Sequence, residues 1–122
     1  MAEVKKKILL VDDERAILKI LGIKLRVSGY DVLTALNGEE ALELIGSAAP
    51  DLVLLDVIMP GIDGFEVLRR VPVATLPVIV FSARAENSAE ALKLGARSFI
   101  SKPFNVDSLI REIQKALNGK KG

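Results

Sequence analysis

Ile8-Leu9-Leu10-Val11-Asp12-Asp13 and Leu52-Val53-Leu54-Leu55-Asp56 share one design, an apolar run closed by acid. Such short, continuous runs suit parallel strands covered on both faces. If the two strands lie parallel in one sheet, Asp12, Asp13 and Asp56 meet at one edge. Like charges held that close raise one another's pKa unless a cation neutralises them. Hard oxygen ligands carrying compact negative charge suit Mg²⁺. The two stretches therefore predict a metal site with a carboxylate available for phosphoryl chemistry.

Working outward, five short runs alternate with longer amphipathic stretches. The runs are Lys7–Val11, Asp31–Ala35, Leu52–Asp56, Val78–Phe81 and Arg97–Ile100. Between them Ala16–Val27 carries Ile17, Leu18, Leu21 and Leu25 at helical spacing, with Gly29 as its stop. Ala41, Leu42, Leu44 and Ile45 mark a second helix before Pro50, and Phe65, Val67 and Leu68 a short third. Ala89, Ala91, Leu92 and Leu94 mark a fourth, ended by Gly95. Leu109, Ile110, Ile113, Ala116 and Leu117 mark a fifth, capped by Asn105 or Asp107. Alternation of this kind predicts an α/β, doubly wound, three-layer (βα)5 flavodoxin-like domain, its five-stranded parallel sheet joined by right-handed crossovers. In strand order 2-1-3-4-5 the winding reverses between strands 1 and 3, where ligands bind beyond the carboxyl ends. The charge argument and the topology argument select the same edge.

The totals fit one domain. The chain has 122 residues, half of them apolar, with 17 Lys+Arg against 16 Asp+Glu. The charge balance gives no support for direct nucleic-acid binding. There is no cysteine and hence no disulfide or thiol chemistry, which suits a cytoplasmic setting. No apolar stretch approaches a membrane span, and Met1-Ala2-Glu3-Val4-Lys5-Lys6-Lys7 lacks the apolar segment of a secretion signal. Residues 1–122 are expected to form a single domain with a core over about 6–118. The polar tail 119–122 reads as a plain terminus or the start of a linker. There is no histidine, so any phosphohistidine must come from another protein.

Ser82 ends the fourth run and Lys102 follows the fifth, and the doubly wound model sends both over the acidic edge. A hydroxyl can donate to a phosphoryl oxygen and an ammonium can pair with one. Asp56 would then be the nucleophile, forming an acyl phosphate. Each residue alone has an ordinary reading. A strand-end aspartate is a turn former or helix cap. Ser82 is a cap, Lys102 a solvated charge, and Phe99 core. The combination differs, because one topology brings these positions together.

In these motifs the chain resembles a response-regulator receiver domain over essentially its whole length. The matching segments, in family order, are Ile8-Leu9-Leu10-Val11-Asp12-Asp13-Glu14, Asp56-Val57-Ile58-Met59-Pro60-Gly61-Ile62-Asp63-Gly64, Ser82-Ala83, Gly95-Ala96 and Lys102-Pro103-Phe104. The resemblance implies that Asp56 accepts a phosphoryl group from a sensor histidine kinase or a histidine phosphotransfer protein. It implies Mg²⁺, with Mn²⁺ able to substitute, held directly by Asp13, Asp56 and the Ile58 backbone carbonyl, and by Asp12 through water. Lys102 would contact the phosphoryl group, and the bond to Pro103 would be cis. Ser82 would move toward the new oxygen and Phe99 would rotate inward. The altered surface would be the fourth helix, fifth strand and fifth helix, where a downstream protein, or a second copy on phosphorylation, would dock. The chain would be a switch that catalyses only its own phosphorylation and dephosphorylation, not a turnover enzyme. Driving such an equilibrium from 1:99 to 99:1 takes about 5.5 kcal/mol.

Several residues depart from the family's common pattern. The segment Leu68–Pro77 leaves little room for a long third helix, and the Ser82–Gly95 interval is contracted by about two residues. Phe99 stands where a tyrosine is common, so apolar packing should control it. Ile58 and Arg84 flank the phosphorylation position: Ile58 cannot orient an attacking water, and Arg84 is placed to shield an acyl phosphate. A phosphohydrolase of the haloacid dehalogenase type would need an acid at Ile58. A nucleotide-binding module would need a glycine-rich phosphate loop, which is missing. A receiver used only as a scaffold is disfavoured by the intact acidic set. A stand-alone regulator and the receiver of a larger regulator both fit this length.

Overall fold

The computed structural model describes residues 5–61 and 63–118; the tail expected over 119–122 lies outside them. Five parallel strands, β1 (Lys7–Val11), β2 (Asp31–Ala35), β3 (Leu52–Asp56), β4 (Val78–Ser82) and β5 (Ser98–Ser101), form one sheet in the order β2-β1-β3-β4-β5. The helices are α1 (Arg15–Val27), α2 (Gly38–Ala48), α3 (Gly64–Arg70), α4 (Ser88–Lys93) and α5 (Val106–Leu117). This is the doubly wound, flavodoxin-like architecture expected from the alternating pattern.

The period-2 alternation of the central strands splits the core in two. Leu9, Val11, Val53, Leu55, Val78 and Val80 face one cluster, which includes Ala41 of α2, Val67 and Leu68 of α3 and Ala91 of α4. Ile8, Leu10, Leu52, Leu54, Ile79 and Phe81 face the other, with Leu18, Leu21 and Leu25 of α1 and Leu109 and Ile113 of α5. Every residue of β3 and β4 is buried, as the near-continuous apolar runs require, whereas β2 and β5 are partly exposed edges.

The ends of the helices follow local chemistry. Gly29 closes α1 at φ +100°, which lets the Tyr30 amide donate back to the Leu25 carbonyl. Asn105, rather than Asp107, caps α5 by accepting from the Ser108 amide at 3.1 Å. The shortening read from the sequence falls on α3, with 7 residues, and on α4, with 6 preceded by a 3-10 turn over Ala85–Asn87. Two boundaries move by one residue: β4 runs on through Ser82, and β5 is Ser98–Ser101 rather than Arg97–Ile100. The cause is register, because Ser82 pairs with Ser101 and thereby extends the ladder.

Gly64 places the start of α3 directly on the end of β3. Its amide donates to the Val57 carbonyl at 3.2 Å, and a Cβ there would overlap the Val57 Cα and the Asp56 carbonyl oxygen. Backbone cannot yield as a flexible side chain can. Gly64→Ala is therefore expected to cost about 1–3 kcal/mol, typical of overpacking, read as a lower urea midpoint with an unchanged slope; an unaltered midpoint would show that the approach is not tight.

Candidate phosphoryl and metal site

The carboxyl edge of β1, β3 and β4 carries the acidic cluster. One carboxylate oxygen from each of Asp12, Asp13 and Asp56 lies within 4.8 Å of the others. Asp12 follows β1 and its amide donates to the Ala35 carbonyl at 3.1 Å, continuing the β1–β2 ladder. Asp56 is the last residue of β3 and pairs in register with Phe81. Asp12 and Asp56 are buried, while Asp13 is exposed.

Lys102 is the counterion. Its Nζ lies 2.9 Å from Asp12 Oδ2, 3.4 Å from Asp56 Oδ2 and 3.8 Å from Glu14 Oε1. Two contacts hold it there. Its amide donates to the Ser82 carbonyl at 2.8 Å, and its ammonium sits 4.8 Å from the centre of the Phe81 ring. Phe104 meets Phe81 edge-on, with centroids 6.0 Å apart. The Lys102–Pro103 peptide bond is cis.

The remaining polar atoms are accounted for. Asp12 Oδ1 accepts from the Glu14 amide at 2.9 Å, so both Asp12 oxygens have partners. Asp56 Oδ1 accepts from the Ile58 amide at 3.0 Å. Burial pushes the Asp56 carboxyl up; the Ile58 amide and the Lys102 charge oppose this, and the Asp12 charge adds to it. Burial alone would lower Lys102, but its bond to Asp12 and the charges of Asp56 and Asp12 hold it above the ordinary lysine value.

Among the described residues, a cleft of about 310 Å³ over this cluster is lined by Asp13, Glu14, Asp56, Ile58, Ala83 and Lys102. Ile58 presents an apolar side chain that is 39% exposed. The fold therefore brings Asp12, Asp13, Asp56, Ile58 and Lys102 together. Ser82 is adjacent in sequence but fully buried, and Ala83 rather than Ser82 lines the cleft. The Arg84 side chain is exposed and lies outside that lining. Phe99 is half-buried against the α2–α4 side of the core. Sequence reading missed Glu14, Phe81 and Ala83 as parts of this site. Glu14 was legible as the third acid of Asp12-Asp13-Glu14, whereas the place of Phe81 beneath Lys102 depends on β5 delivering the lysine across β4.

The geometry suits Mg²⁺: three carboxylates converge, one exposed and two at strand ends, next to a cleft open to solvent. Among the described residues, no helix is long and apolar enough to cross a membrane.

Comparison with known proteins identifies the family. The family model for the response regulator receiver domain matches residues 8–114. The chain belongs to the response-regulator receiver family, a family of phosphorylation-dependent signalling switches rather than metabolic enzymes. It is similar to a receiver domain of a Francisella response regulator, with 34% identity, TM-score 0.87, and 96% of this chain and 100% of that chain covered. It is also similar to a CheY-like receiver domain from Methanospirillum hungatei, with 33% identity, TM-score 0.89, and 95% and 96% covered. A third similar structure is the Thermotoga maritima response regulator TrrA in complex with Mg²⁺-BeF, with 38% identity, TM-score 0.83, and 90% and 97% covered.

The electrostatics has a consequence for stability. Because the Asp56 carboxyl is raised in the folded state, the native protein holds its proton to higher pH than the unfolded chain. Stability then falls as pH rises from the ordinary carboxylate range through the raised value. In Mg²⁺-free buffer Asp56→Asn should melt above the parent at pH 7, with the gap closing as pH falls below that range. A gap independent of pH would refute the charge origin.

Proposed function

We propose that Asp56 is the phosphoacceptor of a Mg²⁺-dependent switch supplied by a sensor histidine kinase or histidine phosphotransfer protein. The observation that carries this reading is the convergence of Asp12, Asp13 and Asp56 within 4.8 Å, with Lys102 between Asp12 and Asp56. An Asp56 carboxylate oxygen attacks phosphorus, the P–N bond of the donor breaks, and its electron pair returns to the imidazole nitrogen, which takes a proton. Lys102, 3.4 Å from Asp56, pairs with the phosphoryl oxygens as the charge arrives. Asp13 and Asp56 with the Ile58 carbonyl would hold the ion directly, and Asp12, whose oxygens already have partners, through water. Bound Mg²⁺ supplies positive charge against the acid cluster and the incoming phosphoryl oxygens; Mn²⁺ fits the same donors. The protein catalyses only these steps on itself.

In this reading Ser82 moves to donate to a phosphoryl oxygen, Phe99 follows, and the α4–β5–α5 surface changes. A groove of about 660 Å³ along β5 and α5, lined in part by Phe99, Ser101, Phe104, Ser108 and Arg111, offers room for a downstream protein or a second copy on phosphorylation. Residues 1–122 act as one receiver unit in a cytoplasmic setting, which a chain without cysteine suits.

Intact-mass measurement after incubation with acetyl phosphate or phosphoramidate tests the reading. One phosphoryl adduct is expected, requiring both Mg²⁺ and Asp56 and absent in Asp56→Asn. An adduct that persists in Asp56→Asn would overturn it. Hydrolysis of the adduct should be slow, because apolar Ile58 lines the cleft and cannot orient water; Arg84, exposed and outside that lining, would shield the acyl phosphate only by swinging over it. Ile58→Asn is expected to speed loss of the label several-fold, and an unchanged decay would remove Ile58 from the account.

A further inference from the structure

Ser82 does not rest in the cleft. Its hydroxyl is fully buried and accepts from the Arg84 amide at 3.1 Å and from Asn87 Nδ2 at 3.3 Å. Its carbonyl is held by the Lys102 amide at 2.8 Å, so the backbone is anchored while the hydroxyl is tied to the 3-10 turn Ala85–Asn87. Asn87 immediately precedes α4, where an asparagine ordinarily caps the helix. Here it does not: the residue has helical backbone angles, φ −75° and ψ −9°, and its side chain makes no capping bond. The amide is turned to Ser82 instead. The hydroxyl proton remains free to donate, but turning the hydroxyl out of this position toward Asp56 would give up the bonds from Asn87 and Arg84 or drag the turn along.

We propose that Asn87 is a positioning residue that latches Ser82 in the resting state and so sets how readily the switch closes on a phosphoryl group. This rests on the receiver reading above. Asn87 is half-buried, so its removal leaves the core intact, and it lies outside the cleft lining, so the Mg²⁺ donors are untouched.

The test is calorimetric titration with Mg²⁺ and beryllofluoride, which stands in for the phosphoryl group on Asp56. Asn87→Ala removes one neutral hydrogen bond from the resting state only. Affinity is expected to rise by about 2- to 12-fold, the range such a bond represents. The gain should vanish in a Ser82→Ala background, because there is no hydroxyl left to latch. Asn87→Asp offers only acceptor oxygens and a negative charge. It should draw the Ser82 proton to itself and bind more weakly than the parent. Affinity for Mg²⁺ alone should be unchanged in Asn87→Ala. If Asn87→Ala binds no more tightly, if its gain survives Ser82→Ala, or if Asn87→Asp binds more tightly than the parent, the latch is overturned. A parent protein that does not bind beryllofluoride with Mg²⁺ at all would instead count against the receiver reading.

Discussion

Everything at the functional edge depends on holding Asp12, Asp13 and Asp56 together against their mutual repulsion. Lys102 offsets part of that cost by standing between Asp12 and Asp56. The pairing is reciprocal, since the carboxylates also keep a half-buried ammonium charged where burial alone would discourage it. With three carboxylates against one lysine, the site keeps an excess of negative charge, which suits a divalent cation.

The sheet ties this local balance to the neighbouring elements. Lys102 is fastened by its amide to the Ser82 carbonyl, and Ser82 by its hydroxyl to the turn leading into α4. Asp56 is thereby linked through Lys102 and Ser82 to the turn that precedes α4. The contracted Ser82–Gly95 interval makes that link short: a single 3-10 turn and a six-residue helix separate the hydroxyl from β5. With so little chain to absorb movement, the hydrogen-bond partners of Ser82 bear directly on the surface formed by α4 and β5. A packed, two-cluster core beneath them resists gradual deformation, which favours two arrangements over a continuum.

Much of this was legible in the sequence. The apolar runs closed by acid located β1 and β3, and the 3- and 4-residue spacings of Ile17, Leu18, Leu21 and Leu25 located α1, because burial on one or both faces leaves a period in the residues themselves. Shortening of α3 and α4 could be read from intervals. The ends of β4 and β5 could not, because the pairing of Ser82 with Ser101 is a relation between two strands. The same holds for Phe81 under Lys102: residue 81 reads only as core until β5 carries the lysine over it.

The residues by themselves determined the order of elements, the parallel sheet, and which carboxylates, lysine and hydroxyl stand at strand ends. These follow from hydrophobic period and from turn and cap chemistry, both local properties of the chain. Tertiary structure alone decided where each of those groups points. It seated Lys102 between two buried carboxylates, left Asp13 open to solvent, and turned the Ser82 hydroxyl away from the cleft toward Asn87. The reason is physical: side-chain direction at the end of a strand is set by partners from distant segments, and hydrogen bonds of that kind leave no periodic trace in the sequence.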